Sequence, residues 1–198
     1  MPRKFMFTRE QIIAAAVELT RKDGLSALTA RALGARLGSS SRPIFGLFEN
    51  MEEVRQEVMK AAKELYQSYI KEDMSKGKYP PYKACGMAYI RFAKEEKELF
   101  KLLFMRGRSG EEAGGNEEQM RMLSELVQQK LGLKEEEAYF FHLEMWIYVH
   151  GIATMLATSY LEPDEEFISR VVTDGYEGMK ARYTGLSLSG DAQKWGEE

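Results

Sequence analysis

The chain is poor in several residue types, and each shortage argues against a class of protein. Of its 198 residues, one is cysteine (Cys85), two are histidines and five are prolines. A single cysteine excludes an intramolecular disulfide and fits a reducing compartment. The first five residues lack the apolar run of a secretion signal, which favours a cytoplasmic protein.

The two histidines do not predict a metal site. His142 and His150 are eight residues apart, about 80° around a helix, so they do not share a face as a metal pair would. We expect no metal and no cofactor, because no cluster of carboxylates has ligand spacing. The glycine-rich stretch 106–116 is not a phosphate-binding loop, since no Gly-Lys-Ser/Thr closes it and no strand pattern precedes it.

Long apolar runs are also rare, and only residues 138–161 are apolar enough to suggest a membrane span. Glu144 lies inside this run, and an acidic group near mid-bilayer costs about 2.5–3.5 kcal/mol. The flanks of the run are mainly acidic. We therefore expect a soluble helix that is buried on most sides.

The charge is unevenly distributed along the chain. Residues 1–50 contain eight Lys and Arg against four acidic residues and are net +4, whereas the rest of the chain is −7 and the total is −3. A basic end on an acidic body directs that end toward phosphate.

The apolar periodicity predicts an all-α fold of about nine helices with no strand. We expect an N-terminal three-helix head over 1–50, a helical bundle over 51–186 and a loose tail over 187–198. Hydrophobic residues form 44% of the chain and charged residues 30%, a globular composition.

The segment Thr29–Val54 predicts a helix-turn-helix. Thr29 caps a short helix, a glycine-led turn begins at Gly38, a second short helix is expected over 41–48, and Asn50 with Glu53 forms a capping box for the next helix. Such a motif places its second helix in the major groove of DNA.

These residues resemble the TetR family of bacterial transcriptional regulators. The matching positions are Thr8–Ala16, Gly24, Thr29, Leu33, Gly38, Ser40, Ile44–Phe48 and Glu52–Val54. In the body, Trp146, His150 and Gly151 loosely resemble the Trp-His-Gly signature of one group of C-terminal domains in this family. The resemblance implies a homodimer that binds a roughly palindromic double-stranded operator and responds to a small molecule.

Groove contacts are expected from the exposed face of the third helix and phosphate contacts from its neighbours. The candidate DNA-binding residues are Arg3, Lys4, Thr29, Arg31, Ser40, Ser41, Arg42, Phe45, Gly46 and Leu47. Three positions depart from the usual head: Phe45 stands where tyrosine is common, Met51 where lysine is common and Gly34 where alanine is usual. DNA binding is therefore expected to depend more on arginine.

The body carries two further sets of candidates. The resemblance implies a four-helix bundle made by the last two helices of each chain, for which the candidate residues are Ile152, Met155, Leu156, Phe167, Val171 and Tyr176. Methionine and aromatic residues make adaptable apolar walls for a pocket. The candidates for that pocket are Phe100, Phe104, Met105, Met122, Leu126, Phe141, Met145, Trp146 and Tyr148.

The function that these features favour is a repressor released from its operator by a small apolar or amphipathic inducer, and not an enzyme. A dimeric adaptor whose head contacts protein stays open as an alternative. So does an enzyme with a helical body, in which Glu144 and His150 form an acid–base pair.

Overall fold

The chain folds as eight α-helices, and no strand occurs in residues 6–107 and 114–185, which the computed structural model describes. The all-α prediction is confirmed. Arg3, Lys4 and the predicted tail 187–198 lie outside the described residues. The helices are α1 (Arg9–Asp23), α2 (Ala30–Arg36), α3 (Met51–Lys76), α4 (Pro81–Glu95), α5 (Lys97–Phe104), α6 (Gly114–Leu131), α7 (Glu135–Ala157) and α8 (Glu165–Thr184).

Polar caps set the starts of the head helices. The Thr8 hydroxyl accepts a hydrogen bond from the Gln11 N–H, and the Gln11 side chain accepts one from the Thr8 N–H. The Asn50 side chain accepts a bond from the Glu53 N–H at the start of α3. The Glu53 carboxylate bonds the N–H of Glu49 and not that of Asn50, so the capping box predicted at Asn50 is only half formed.

The second helix of the helix-turn-helix is shorter than predicted. A single 3-10 turn over Ile44–Gly46 replaces the helix expected over 41–48, which lowers the helix count from nine to eight. Proline at 43 supplies no N–H and disfavours a helical conformation at Arg42, and Gly46 weakens helix formation further. The chain instead makes i→i+3 bonds from Ser41 to Leu47.

The head packs on the body through α1. Ile12 and Ala16 of α1 are fully buried with Val54 and Val58 of α3 in one continuous core. Near the end of α1, the Arg21 guanidinium lies 2.7 Å from a carboxylate oxygen of Glu96, in the link between α4 and α5. Helix α5 also packs against α1 and so connects the head to the body.

In the body, α4 lies between α3 and α7, and α6 and α8 pack against α7. Phe92, Phe100 and Phe141 are its largest fully buried side chains. Within the described residues, no helix is both long and apolar enough to cross a membrane.

The expectation that α7 is buried on most sides is wrong for a single chain. One face, which includes Phe141, Met145 and Val149, is buried against α4 and α8. The other face leaves large apolar side chains exposed, among them Tyr139, Phe140, Ile147, Tyr148 and Met155. A long apolar helix in a small bundle has too few neighbours to cover all its sides.

Candidate functional site

The first candidate site is residues 38–48, here called the tip segment. It begins at Gly38, whose φ of +66° is a left-handed conformation that favours glycine. Ile44 and Phe48 are buried and anchor the segment in the head core. Ser40, Arg42 and Phe45 of the tip segment are exposed, and Phe45 exposes 48% of its surface.

Gly34 in α2 allows the tip segment to approach closely. A Cβ built on Gly34 would lie 2.9 Å from the carbonyl carbon of Ser40 and 3.0 Å from the backbone nitrogen of Ser41. Backbone atoms cannot rotate away as the end of a flexible side chain can. Glycine, which stands here in place of the family's usual alanine, therefore lets the turn lie directly on α2.

We expect Gly34→Ala to destabilise the head and to weaken its binding to DNA. Alanine gains about 0.5–1 kcal/mol of helix stability, whereas overpacking against fixed backbone costs about 1–3 kcal/mol. Thermal unfolding checks the sign of the difference, and Ala35→Gly at an exposed position of α2 measures the cost of glycine in that helix. A Gly34→Ala protein that melts higher than wild type would contradict the close packing of the turn.

Arg9 fixes the end of the tip segment to two helices. Its Nη1 donates to the Leu47 carbonyl at 3.0 Å, and its Nη2 contacts the carboxylates of Glu53 at 2.7 Å and Glu57 at 2.8 Å. The guanidinium carbon lies 4.2 Å from the centre of the Phe48 ring. Arg9 is one of the eight cations of residues 1–50, and the sequence does not show that it is paired. Its partners Glu53 and Glu57 lie 44 and 48 residues later, so the pairing gives no local signal.

The predicted DNA-binding residues are mostly exposed. Thr29, Arg31, Ser40, Arg42, Phe45 and Gly46 lie at the surface, and Ser41 is half-buried. The Thr29 hydroxyl accepts a bond of 3.2 Å from the Ala32 N–H and so caps α2. Leu47 is a correction: its side chain packs against the head core because burial stabilises an apolar group more than a groove surface does.

The second candidate site is a cavity of about 350 Å³ within the body. Helices α3 to α8 all contribute to its wall, and most of the wall is aromatic or aliphatic. The lining residues are Tyr66, Pro80, Tyr82, Lys83, Cys85, Gly86, Tyr89, Phe104, Gln119, Met120, Leu123, Lys130, His142, Met145, Trp146, Val149, Val172, Thr173, Tyr176 and Glu177.

Three of the nine predicted pocket residues line this cavity: Phe104, Met145 and Trp146. The structure places the others elsewhere. Phe100 and Phe141 are fully buried in the core, Met105, Met122 and Tyr148 are exposed, and Leu126 is half-buried outside the cavity. Residue type predicted an apolar wall, but the turn of α7 decides which side chains face α4, and Tyr148 faces away.

Two tyrosine–histidine pairs join α4 to α7. The Tyr82 hydroxyl lies 2.9 Å from His142 Nδ1, and the Tyr89 hydroxyl lies 2.7 Å from His150 Nδ1. Burial lowers the pKa of His142 to about 4, so this imidazole is neutral at pH 7. Burial also raises the pKa of the Tyr82 phenol, which therefore stays protonated at pH 7, and the tautomer of His142 decides whether this hydroxyl donates to Nδ1 or accepts from it.

These pairs were missed by the sequence analysis, although a signal was present. The two tyrosines are seven residues apart on α4, and the two histidines are eight apart on α7, which is about two helical turns in each set. The offset of about 80° separates the two histidines around α7, but both still reach α4. The enzyme alternative loses its acid–base pair, since the Glu144 carboxylate lies 3.2 Å from Arg182 Nη1 while His150 bonds Tyr89. No cluster of three metal-ligating side chains occurs in the part of the chain that the structure describes.

The predicted dimer residues divide into two groups. Met155 and Phe167 each expose 44% of their surface, and Ile152 and Val171 are half-buried. Leu156 is buried in the core of its own chain, and Tyr176 lines the cavity, with its ring centre 5.5 Å from that of Phe141. Leu156 is a correction, because it is already covered within one chain, whereas Tyr176 is half-buried and stays a prediction.

Comparison with known proteins agrees with this architecture. Residues 12–58 match the model of bacterial regulatory proteins of the tetR family, and residues 82–174 match the model of the tetracycline repressor-like C-terminal domain. The narrower likeness to the Trp-His-Gly group stays a prediction. No curated protein matches the chain.

Two solved structures share the fold. A protein of unknown function from Rhodococcus sp. RHA1 has a TM-score of 0.69 at 18% identity, over 93% of this chain and 99% of that one. SmeT, the repressor of the Stenotrophomonas maltophilia multidrug efflux pump SmeDEF, has a TM-score of 0.55 at 18% identity, over 94% of this chain and 96% of that one. With a helix-turn-helix head and a C-terminal domain that each match the family, the chain is a DNA-binding transcriptional regulator of the TetR family.

Proposed function

We propose that the chain is a homodimeric repressor whose affinity for an operator falls when a small amphipathic molecule enters the body cavity. The observation that carries this proposal is the joint presence of an exposed arginine on the tip segment and a cavity lined by six helices of the body. The first suits contact with base edges, and the second suits a small ligand.

Dimerisation through α7 and α8 is supported by the apolar surface that one chain leaves uncovered. Ile147 exposes 58% of its surface, and Met155 and Phe167 lie on the same two helices. A second copy related by a two-fold axis would bury the same patch on both chains. Two heads would then read half-sites about 34–36 Å apart.

Helix α5 supplies a path from the cavity to the head. Phe104 lines the cavity, and Glu98, six residues earlier on the same helix, approaches Gly24 at the end of α1. The Arg21–Glu96 pair ties the start of α5 to α1. A ligand that displaces Phe104 would move α5 and tilt α1, and it weakens operator binding only as far as it favours that tilted state.

Selection of bound fragments from random duplex DNA tests the proposal. We expect a roughly palindromic sequence to be enriched, and we expect the protein to leave it when compounds that raise the melting temperature are added. Recovery of no specific sequence would overturn the proposed role of the tip segment. An operator complex that no stabilising compound weakens would overturn the proposed role of the cavity.

We expect Gly86→Leu to bind the operator normally but to lose release by ligand. Gly86 lies in α4 at the cavity wall, and a Cβ there would have only an ordinary contact of 3.7 Å with Val149. We expect the rest of a leucine side chain to extend into the cavity and fill part of it, and leucine gains about 0.5–1 kcal/mol over glycine in a helix. The variant should melt higher than wild type and stay on the operator at ligand concentrations that release wild type.

Gly86→Ala is the matched control, since it gains the same helix stability but leaves most of the cavity open. This variant should still respond to ligand. A Gly86→Leu protein that releases the operator as readily as Gly86→Ala would contradict ligand binding in this cavity.

A further inference from the structure

The charged side chains of the cavity wall are mainly cationic, although the body as a whole is acidic. Lys83 and Lys130 line the cavity together with one acidic residue, Glu177. The Glu177 carboxylate is already paired with Lys180 Nζ at 2.9 Å. His142 is neutral at pH 7, so it does not change this balance.

Lys83 is held in place by hydroxyl groups and not by an acid. Its Nζ donates to Ser169 Oγ at 2.8 Å and to Thr173 Oγ1 at 2.7 Å, both on α8. It also lies 4.7 Å from the centre of the Tyr79 ring. No carboxylate among the described residues forms an ion pair with it, and burial lowers the pKa of this ammonium.

An ammonium held by neutral groups at a partly desolvated wall is a favourable partner for an anion. Hydroxyls satisfy two of its three N–H groups but leave its charge uncompensated. Lys130 adds a second positive charge, 6.0 Å from the ring centre of Tyr176 in the same wall. The rest of the wall is built from rings and aliphatic side chains, which suit an apolar body.

We propose that the ligand of the cavity is an amphipathic carboxylate, an acid with an alkyl or aromatic tail, whose anionic group binds Lys83. This inference rests on the proposed function of the cavity and adds the charge of its ligand. The apolar tail lies among Trp146, Met145 and Phe104, and the head group reaches Lys83 on the α4–α8 side of the cavity. A neutral amphiphile would bind through its tail alone, and a cationic one would be repelled.

Two sets of matched probes test the charge of the ligand. One set is decanoate, 1-decanol and decylamine below their critical micelle concentrations, and the other is 4-phenylbutyrate, 4-phenylbutan-1-ol and 4-phenylbutylamine. Binding to the full chain is measured by calorimetry, with melting temperature as a second readout. We expect the acid of each set to bind about tenfold or more tighter than its alcohol, since charge-assisted hydrogen bonds are the stronger ones, and the amine to bind weakest.

The variants assign this preference to one side chain. Lys83→Met keeps the length of the side chain and should bind the acid and the alcohol equally, whereas Lys83→Arg keeps the charge and should keep the preference. Lys60→Met removes the same charge from the exposed face of α3 and should behave as wild type.

The outcomes separate the two proposals. If the alcohols bind as tightly as the acids, or Lys83→Met keeps the full preference, the inference about charge is overturned while the cavity keeps its role as a ligand site. If no probe of either set binds, the cavity is no site for amphiphiles, and both the inference and the proposed role of the cavity are overturned.

Discussion

Replacement of Arg42 by alanine should weaken operator binding by about 1–3 kcal/mol for each head, and by about twice that for a dimer with two heads on DNA. Arg42 is exposed between Ser40 and Phe45 on the tip segment, and the structure gives its side chain no hydrogen bond or ion pair within the described residues. A guanidinium that is not engaged in the fold is available to read guanine or to bind phosphate. Titration of the selected operator measures the loss.

The melting temperature and the dimerisation of Arg42→Ala should not change, because the side chain supports no packing. Lys60→Ala is the matched control, since it removes the same charge nine residues into α3 and should leave operator affinity nearly unchanged. Discrimination between the operator and random duplex separates two roles for Arg42. If Arg42 contacts a base, Arg42→Ala lowers the ratio of operator affinity to random-duplex affinity. If Arg42 contacts phosphate, the substitution weakens both complexes alike. Unchanged operator affinity would remove Arg42 from the interface.

The second large effect is a loss of stability that we expect when the pH is lowered. An unfolded histidine titrates near pH 6.5, whereas burial lowers the pKa of His142 in the folded protein to about 4. Between these values the unfolded chain binds a proton that the folded chain does not, so the free energy of unfolding falls as the pH falls. The loss over this interval is up to about 3 kcal/mol from this group and does not continue below pH 4.

Denaturant unfolding at pH 7 and pH 5 checks this effect. We expect wild type to lose more stability over this range than His142→Gln, which keeps a polar partner for Tyr82 but does not titrate. The two proteins should therefore differ less at pH 5 than at pH 7. Parallel losses in the two proteins would contradict a buried neutral imidazole at this position.

Much of the head could be predicted from the sequence because its signals are local. Thr8, Thr29 and Asn50 cap helices through bonds to residues three positions later, and Gly38 marks the left-handed turn. The helix predicted over 41–48 is too long, because Ser41 can open a helix but Pro43 opposes one. Proline at this position removes a donor and restrains Arg42, which leaves a 3-10 turn.

The cavity was harder to predict, since it depends on contacts between distant helices. Lys83 bonds Ser169 and Thr173 across more than 80 residues, and the Tyr82–His142 pair spans 60. No local pattern identifies such partners. Hydrophobicity predicted that Met145 and Phe141 lie inside, but not that Met145 faces a cavity while Phe141 fills the core.

The dimer surface could likewise be predicted only in part. The apolar character of α7 indicated that something must cover it, and the exposed Ile147 and Met155 agree with that need. Leu156 is as apolar as its neighbours, but it is covered within its own chain. The rotation of α7 about its axis decides which of its apolar side chains face the core and which face outward.

In the proposed repressor, two cationic heads, joined by the acidic body, insert their tip segments into one operator. Sedimentation of the protein with its selected operator, repeated over a range of salt concentrations, measures this arrangement. We expect two protomers on each palindromic site and an affinity that falls steeply as salt rises, with a log–log slope of about −0.9 for each phosphate neutralised. A single protomer on each operator, or an affinity independent of salt, would rule out the insertion of two cationic heads.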